Sequence, residues 1–501
     1  MGEFEAERAP IVSKRNFLDV LYALEKKYDV SSLRYKGTHY WPLLRMLLGF
    51  ENDPLVPPSQ SKTGTKERFK KYLYALGSLF ENFIDPKNNQ GRSEQCDVYY
   101  LTHSTCRSLK IQGKYFDAFF SPLRHWCDDS DKKIGFYAEE FIPGAEYRCP
   151  RSEKTVYIQK YLTLISLLGG SKSKSTELEE NDIALIENLK IEIESQGFSA
   201  RSINLPAIKK ALTQLNLHKE RFSKVLKSTQ PKIVLVVTYY NIVGFALMAA
   251  ANALGIKTLD LQHGVQGPGH FAYGSWGRVP EGGWDMLPRL FWNWTVEDVA
   301  NVNSWGGEAH MGILGGRIFS QYLSEMDIEF AEYKTLTSRI KNSGCTRVVL
   351  ITLQPIECED FIQALLNAMQ SIECESIFWL FRLHPTMMDK QAFYSALFED
   401  KHSDLALCSN LPLDYILKLA DLHITLNSSV TIEAALEGIP TLLDHNCSYY
   451  MEWQNLGVAQ RIEKSQTWGG AIADHLKNGN RFLKAQDKPS AKNMIIELTF
   501  S

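Results

Sequence analysis

The sequence is short of several features that would settle its class at once. Its nine cysteines are scattered, odd in number and without a Cys-x-x-Cys pair. Neither a zinc ribbon nor a disulfide framework fits such spacing. They read as reduced, mostly buried thiols, which points to a cytoplasmic protein. Neither sign of charge is in excess. Lys and Arg number 55 against 58 Asp and Glu, a net charge of −3. A general nucleic-acid binder carries a basic surplus, so no nucleic-acid partner is expected. Long apolar runs are missing too. Ile233–Val237 has the length of a strand, and Ile242–Ala253 falls well short of the ~20 residues that span a bilayer. Met1–Pro10 is polar and holds no signal-like apolar core. Crossing a membrane is therefore not expected, whereas lying on one is not excluded.

What is present suits a multidomain globular protein. The 501 residues are 44% hydrophobic, 11% aromatic and 23% charged. That length implies more than one core, and that composition excludes wholesale disorder. Arg15–Lys27 and Lys66–Ile84 carry apolar residues at helical spacing, with a Pro-rich loop, Glu51–Gly64, between them. Lys66, Arg68, Lys70 and Lys71 beside the second stripe are compatible with an interfacial helix and a peripheral membrane contact. Asp97–Leu101 reads as a strand, Val156–Leu168 and Ile203–Leu226 as helices, and Ser171–Asp182 as a polar linker. From Ile233 onward β-branched runs alternate with helices: Ile233–Val237, Gly244–Leu254, Thr258–Leu261. The second half does the same, through Arg347–Leu353, Asp360–Ser371, Ser376–Leu383, Leu422–Leu426, Ser429–Glu437 and Thr441–Leu443. Such alternation predicts two α/β domains with parallel sheets, joined near Trp294–Gly312.

Ligands of parallel sheets bind beyond the carboxyl ends of the strands, so the residues after each strand are the candidates. Gln262-His263-Gly264 follows one. His263 there can bind a phosphate or sugar hydroxyl, or take a proton near neutral pH, and Gly264 permits the turn. Arg382, His384 and Pro385 follow another, an Arg/His pair suited to phosphate beside a fixed turn. Asn427, Ser428 and Ser429 open a helix directly after a strand, with Glu433 one turn in, placed for ribose hydroxyls. In the first domain His103, Ser104, Arg107 and Lys114 form a polar stretch fit to hold an acceptor. Ordinary turn, capping and surface roles compete with each of these. Asp128-Asp129-Ser130-Asp131 lacks an oxygen cage, and Glu357–Asp360 fits the acidic first turn of a helix, so no metal site is expected.

Taken in order, Gln262-His263-Gly264, Leu287-Pro288 with Trp292, Arg382-Leu383-His384-Pro385, and the Ser428-Ser429-Val430 to Pro440 segment resemble GT-B glycosyltransferases of bacterial capsule and lipopolysaccharide synthesis. The likeness is to enzymes that use CMP-Kdo or CMP-sialic acid and to related teichoic-acid-type polymerases. It implies a GT-B fold of two Rossmann-like domains facing a cleft. Residues 1–90 would be a helical extension, 91–300 the acceptor domain, 301–480 the nucleotide-sugar domain and 481–501 a tail. By the same resemblance His384 and Pro385 meet the nucleotide, and Ser428 and Ser429 its phosphate. The acidic pair before glycine that supplies the base in that group has no counterpart, since Glu139-Glu140 precedes Phe141. His263, Asp260 and Glu140 are the candidates for the base. The expected activity is metal-independent transfer, without a resident cofactor, from a nucleotide sugar to a glycan or lipid-linked glycan. One Arg, one His, two Ser and no glycine-rich loop suit a single phosphate, hence a CMP-linked acidic sugar such as Kdo. The alternatives are a CDP-alditol phosphotransferase, a nucleotide-sugar epimerase and a non-catalytic glycan-binding module.

Overall fold

The structure is a computed structural model that describes residues 17–52, 95–107, 109–111, 113–130, 134–141, 155–355, 359–371, 376–444, 451–463, 466–478 and 490–500. The expected helix Lys66–Ile84, and with it the expected membrane contact, lies outside these residues, as do most of the Glu51–Gly64 loop and the start of the tail.

Two parallel sheets organise the chain. The first contains β1 (Val98–His103), β2 (Phe136–Phe141), β3 (Val156–Tyr157), β4 (Ile233–Val236), β5 (Lys257–Leu261), β6 (Leu290–Asn293) and β7 (Met311–Leu314), in the order β7-β6-β5-β4-β1-β2-β3. The second contains β8 (Arg347–Thr352), β9 (Ile377–Arg382), β10 (Ser403–Asp404), β11 (Leu422–Thr425), β12 (Thr441–Leu443) and β13 (Ala459–Arg461), in the order β10-β9-β8-β11-β12-β13. Their central strands read as continuous apolar runs because helices cover both faces. All four residues of β4 are buried. Two parallel α/β sheets agree with the expected GT-B-like class.

The helices follow from their sequences. Leu205–Thr229 presents Ile208, Leu212, Leu215, Phe222 and Leu226 on one buried stripe. Asn204 caps its start by accepting the Ala207 N–H at 3.0 Å. Ile242–Ala253 is buried nearly all round, as its Ala-rich composition requires between two layers. The stretch expected as a linker, 171–182, is instead the end of helix Gln159–Lys172, a short 3-10 turn and the start of helix Glu180–Ser195. Two of its polar side chains dock while most of the others stay exposed: the Tyr40 hydroxyl donates to Asp182 at 2.8 Å, and Thr176 meets Thr213 at 2.7 Å.

The expected boundary between 300 and 301 needs correction. β7 pairs in parallel with β6, and Ile318 and Tyr322 of the next helix, Ile318–Met326, lie in the core of the first sheet. The second half starts with helix Ala331–Asn342, whose Leu336 is buried in the second core. β7 is hard to foresee because it is short, only partly buried and flanked by glycines. Helices Phe17–Lys27 and Trp41–Asn52 share one core with the first sheet. Helix Ala491–Phe500 returns to that half, where Ala491 and Ile495 are buried beside Trp126. Among the described residues no helix is long and apolar enough to cross a membrane.

Candidate active site

The carboxyl ends of the two sheets meet. A Cβ added at Gly264, just after β5, would lie 3.7 Å from both Cβ and Oγ of Ser429, just after β11. Behind this contact Trp294 packs with Ile432, Leu443 and Trp453 of the second half. Arg317, which follows β7, pairs with Asp414 at 2.9 Å and Glu433 at 2.7 Å. Burial lowers the pKa of Arg317, but these two carboxylates outweigh it and hold the guanidinium firmly charged. Burial raises Glu433 despite that pairing.

At the mouth of the first sheet His263 and His270 pack around Tyr240, and His103 lies near His263. His263 Nε2 lies 3.2 Å from the Thr238 hydroxyl and 3.3 Å from that of Tyr240. The Tyr240 ring is 6.1 Å from His263 and 5.2 Å from His270, centroid to centroid. Burial holds His263 down to about 4, with His103 nearby lowering it further, and holds His270 down to about 3. Burial also lowers His103. All three are therefore neutral imidazoles at neutral pH, each able to offer one lone pair and one N–H.

The other residues expected at this mouth are placed differently. Asp260 does not open onto the cleft. It is fully buried, accepting from Tyr273 Oη at 2.7 Å, the Tyr239 N–H at 3.1 Å and Gln266 at 3.3 Å. Burial raises it to about 7 against those bonds. Glu140 and Arg107 are both fully buried and face each other at 3.0 Å, Glu140 also accepting from Thr155 at 3.1 Å. An ion pair sunk in the core supplies neither a base nor an acceptor contact. Ser104 is buried as well, and its hydroxyl meets no hydrogen-bond partner among the described residues. Lys114 stands exposed on a two-stranded hairpin, Leu109–Ile111 with Lys114–Phe116. Of the expected base and acceptor residues, only His263 and His103 stand partly exposed at the mouth.

The second mouth is more open. His384 and Pro385 are exposed. His384 caps the 3-10 turn Pro385–Lys390, its Nδ1 accepting from the Thr386 N–H at 3.3 Å and meeting the Thr386 hydroxyl at 2.7 Å. With Nδ1 the acceptor, the neutral ring carries its hydrogen on Nε2. Arg382 braces a neighbouring turn, its Nη1 donating to the carbonyls of Cys408 and Leu411 at 2.5 and 2.7 Å. The expected helix Ser429–Glu437 is shorter, Val430–Leu436. Ser428 Oγ accepts the Val430 N–H at 3.3 Å, while Ser429 makes no side-chain cap bond. Asn427, Ser428 and Ser429 remain partly exposed. Glu433 is committed to Arg317, which the sequence reading did not single out.

Asp128 pairs with Arg124 at 2.8 Å and Asp129 with Lys492 at 2.9 Å, while Asp131 and Glu357 lie outside the described residues. Sequence reasoning also passed over Thr238, Tyr240, His270 and Arg317. The first two had a signal, a polar and aromatic run directly after the strand Ile233–Val237. For His270 and Arg317 the signal was only their nearness to strand-end turns.

No protein-family model matches the chain, and no curated protein matches it. Among solved structures it is similar to the UDP-GlcNAc 2-epimerase of Methanocaldococcus jannaschii, a complex with UDP-GlcNAc and UDP. The TM-score is 0.48 and the identity 13%, over 81% of this chain and 99% of that one. It is similar to the UDP-GlcNAc 2-epimerase of Neisseria meningitidis bound to UDP-GlcNAc, at TM-score 0.45 and 12% identity over 80% and 98% of the two chains. It is also similar to the glycotransferase of kitacinnamycin, at TM-score 0.42 and 10% identity over 81% and 94%. At such identities and scores no residue role passes from those proteins to this one.

Proposed function

We propose that the chain is a nucleotide-sugar enzyme, a glycosyltransferase that moves an acidic sugar such as Kdo from a CMP donor to a glycan or lipid-linked glycan. The reading is carried by the meeting of the two sheet mouths at Gly264 and Ser429, since any ligand seated there touches both halves. On the second wall the Nε2–H of His384 and the hydroxyls of Ser428 and Ser429 suit one phosphate. On the first wall His263 is neutral and offers a lone pair at Nε2. In the transfer the acceptor hydroxyl oxygen bonds to the anomeric carbon, the bond from that carbon to the phosphate oxygen breaks, and CMP leaves with the electron pair. His263 takes the acceptor proton. Its depressed basicity rises when an anionic donor fills the cleft, because nearby negative charge favours the imidazolium. The transfer as proposed uses no resident cofactor.

One observation favours a second reading. Ser104 and Arg107, expected to hold an acceptor, are buried, which leaves that wall poor in acceptor contacts. An enzyme that rearranges the sugar on its nucleotide needs no acceptor, as in an epimerase. A panel of CMP-, CDP-, UDP- and GDP-sugars followed by NMR separates these readings. A transferase releases the nucleotide, and an epimerase returns an isomeric donor with the nucleotide still attached. Calorimetric titration should show CMP binding at least as tightly as UDP or GDP. Preference for UDP or GDP overturns the CMP assignment, and binding of none overturns the enzyme.

A further inference from the structure

Four non-glycine residues among those described have positive φ: Lys36, Gln230, Thr238 and Asp327. Thr238, at φ 67°, is the β-branched one. For a β-branched residue the left-handed region is a real outlier that persists only where the surroundings over-determine it. The surroundings here do so. The N–H groups of Thr238 and Tyr239 both turn to the buried carboxylate of Asp260. Asn241 Nδ2 donates to the Thr238 carbonyl at 2.7 Å. The Thr238 hydroxyl rests 3.2 Å from His263 Nε2. Asp260 is in turn held by Tyr273 and Gln266.

We propose that Asp260 and Thr238 are positioning residues for His263: the buried carboxylate draws the chain after β4 into a left-handed turn, and that turn sets the Thr238 hydroxyl against Nε2 and fixes the tautomer. Tyr240, on the same turn, brings a second hydroxyl to Nε2 at 3.3 Å. Its phenol stays protonated, because burial raises its pKa, and so has a hydrogen to donate. In the proposed arrangement both hydroxyls donate to Nε2, which accepts, and Nδ1 carries the hydrogen. Among the described residues His263 Nδ1 is buried and meets no hydrogen-bond partner, so none of them orients the ring from behind. The orienting role that a third residue plays in catalytic triads falls here to the hydroxyls in front. The inference rests on the proposed function only in giving His263 work in the cleft. A substrate hydroxyl would replace one of the two at Nε2 and find the lone pair already in place.

The test uses the full chain labelled with 13C and 15N in histidine, without nucleotide. Ring-nitrogen shifts report the tautomer, His263→Gln assigns the signal, and His423 in the second half is the internal control. Wild type should show Nε2 unprotonated. Thr238→Ser should keep that signature. Thr238→Gly, which adopts positive φ without strain, should lose it and pass to a tautomer mixture. Asp260→Asn should change His263 and leave His423 unmoved. The proposal is overturned if Nδ1 is the unprotonated nitrogen, if Thr238→Gly leaves the signature intact, or if Thr238→Ser abolishes it as Thr238→Gly does. Should Asp260→Asn perturb the fold and move His423 too, the two Thr238 variants decide. Failure of the proposed function shows separately, as absence of nucleotide binding by wild type.

Discussion

At the mouth of the first sheet most polar side chains are answered from within the protein. Asp260 serves Tyr239, Tyr273 and Gln266, Arg107 faces Glu140, and Gln262 donates to the Gly264 carbonyl and to Asp298, both at 2.9 Å. At the mouth of the second sheet His384 stands in solvent, and among the described residues the Ser428 hydroxyl makes a long local bond alone. One mouth is organised before any ligand arrives, while the other keeps donors for something that comes to it. A rigid wall suits groups that must be aligned for a reaction, and an open wall suits a ligand that binds and leaves. The difference makes a divided forecast. Changes in the first mouth should damage the fold and the chemical step together, and changes in the second should damage ligand binding with the fold intact.

Acid should expose that division most strongly. Among the described residues burial holds His218, His263 and His310 of the first half down to about 4 and His270 to about 3, whereas in the second half only His423 is held so low, to about 3. Smaller depressions affect His103 in the first half and His384 and His475 in the second. An unfolded histidine titrates near 6.5, so the unfolded chain takes protons first as pH falls. The histidine contribution to stability is whole above about 6.5 and drains away down to about 4, or to about 3 for His270 and His423, at up to ~1.4 kcal/mol per pH unit for each buried ring. Asp260 works the other way. Raised to about 7 in the fold, it binds its proton before its unfolded counterpart does and offsets roughly one histidine. Hydrogen exchange compared near pH 7 and near pH 5 should show the first half losing protection before the second. Simultaneous loss, or loss led by the second half, would break the comparison.

Glu140→Ala tests the organised mouth by removing one charge. It strands Arg107 in the core beside Asp117, 4.0 Å away. Deleting one partner of a buried pair costs about 3–5 kcal/mol. Denaturant unfolding should therefore shift strongly, with nucleotide affinity per folded molecule nearly unchanged. A mild effect on stability together with a large one on affinity would return Glu140 to the cleft.

His384→Ala tests the open mouth. Losing one donor to a departing phosphate costs about 2–4 kcal/mol of transition-state stabilisation. Because the ring is exposed and caps only a short turn, the melting temperature should hardly move. Near-full activity in the variant would remove His384 from the site, and a melting shift as large as that of Glu140→Ala would erase the contrast between the walls.

How much of this was legible in the sequence follows the same line. Ile233–Val236, Ile377–Arg382 and Thr441–Leu443 announced themselves as apolar runs because buried parallel strands need no polar face. β7, Met311–Leu314, did not, since a short glycine-flanked edge strand carries little hydrophobic signal. That is why the junction was expected some residues too early. His263, His384 and Ser429 were visible as polar residues after strands, and the structure does place them at the mouths. Asp260, Glu140 and Arg107 were equally visible as polar residues near strand ends. Their burial was not, because where helices cover both faces of a sheet, alternation does not say which side chains find partners inside. Thr238 was hidden for another reason. Its place after a strand was visible, but its left-handed backbone depends on Asp260 as well as Asn241, and the distant carboxylate leaves no mark in the local sequence.

The smallest effect is also the sharpest test of the open wall. Ser428 and Ser429 sit side by side, yet the structure gives them different local work. Ser428 Oγ accepts the Val430 N–H at 3.3 Å, a weak cap, and Ser429 makes no cap bond. If capping were their whole role, Ser428→Ala would cost at most about 1 kcal/mol of stability, Ser429→Ala would cost almost nothing, and neither would touch the donor. If they hold the donor phosphate, Ser429→Ala should raise KM for the nucleotide sugar several-fold with the melting temperature unchanged. Ser428→Ala should combine a slight melting shift with a similar rise. The ordering of the pair decides it, because capping puts Ser428 first and phosphate binding puts Ser429 level with it or ahead. Melting curves and donor KM on both single variants read that order. A Ser429→Ala protein with wild-type KM would mean that the residue nearest Gly264 does not meet the donor, and the open wall would then begin at His384.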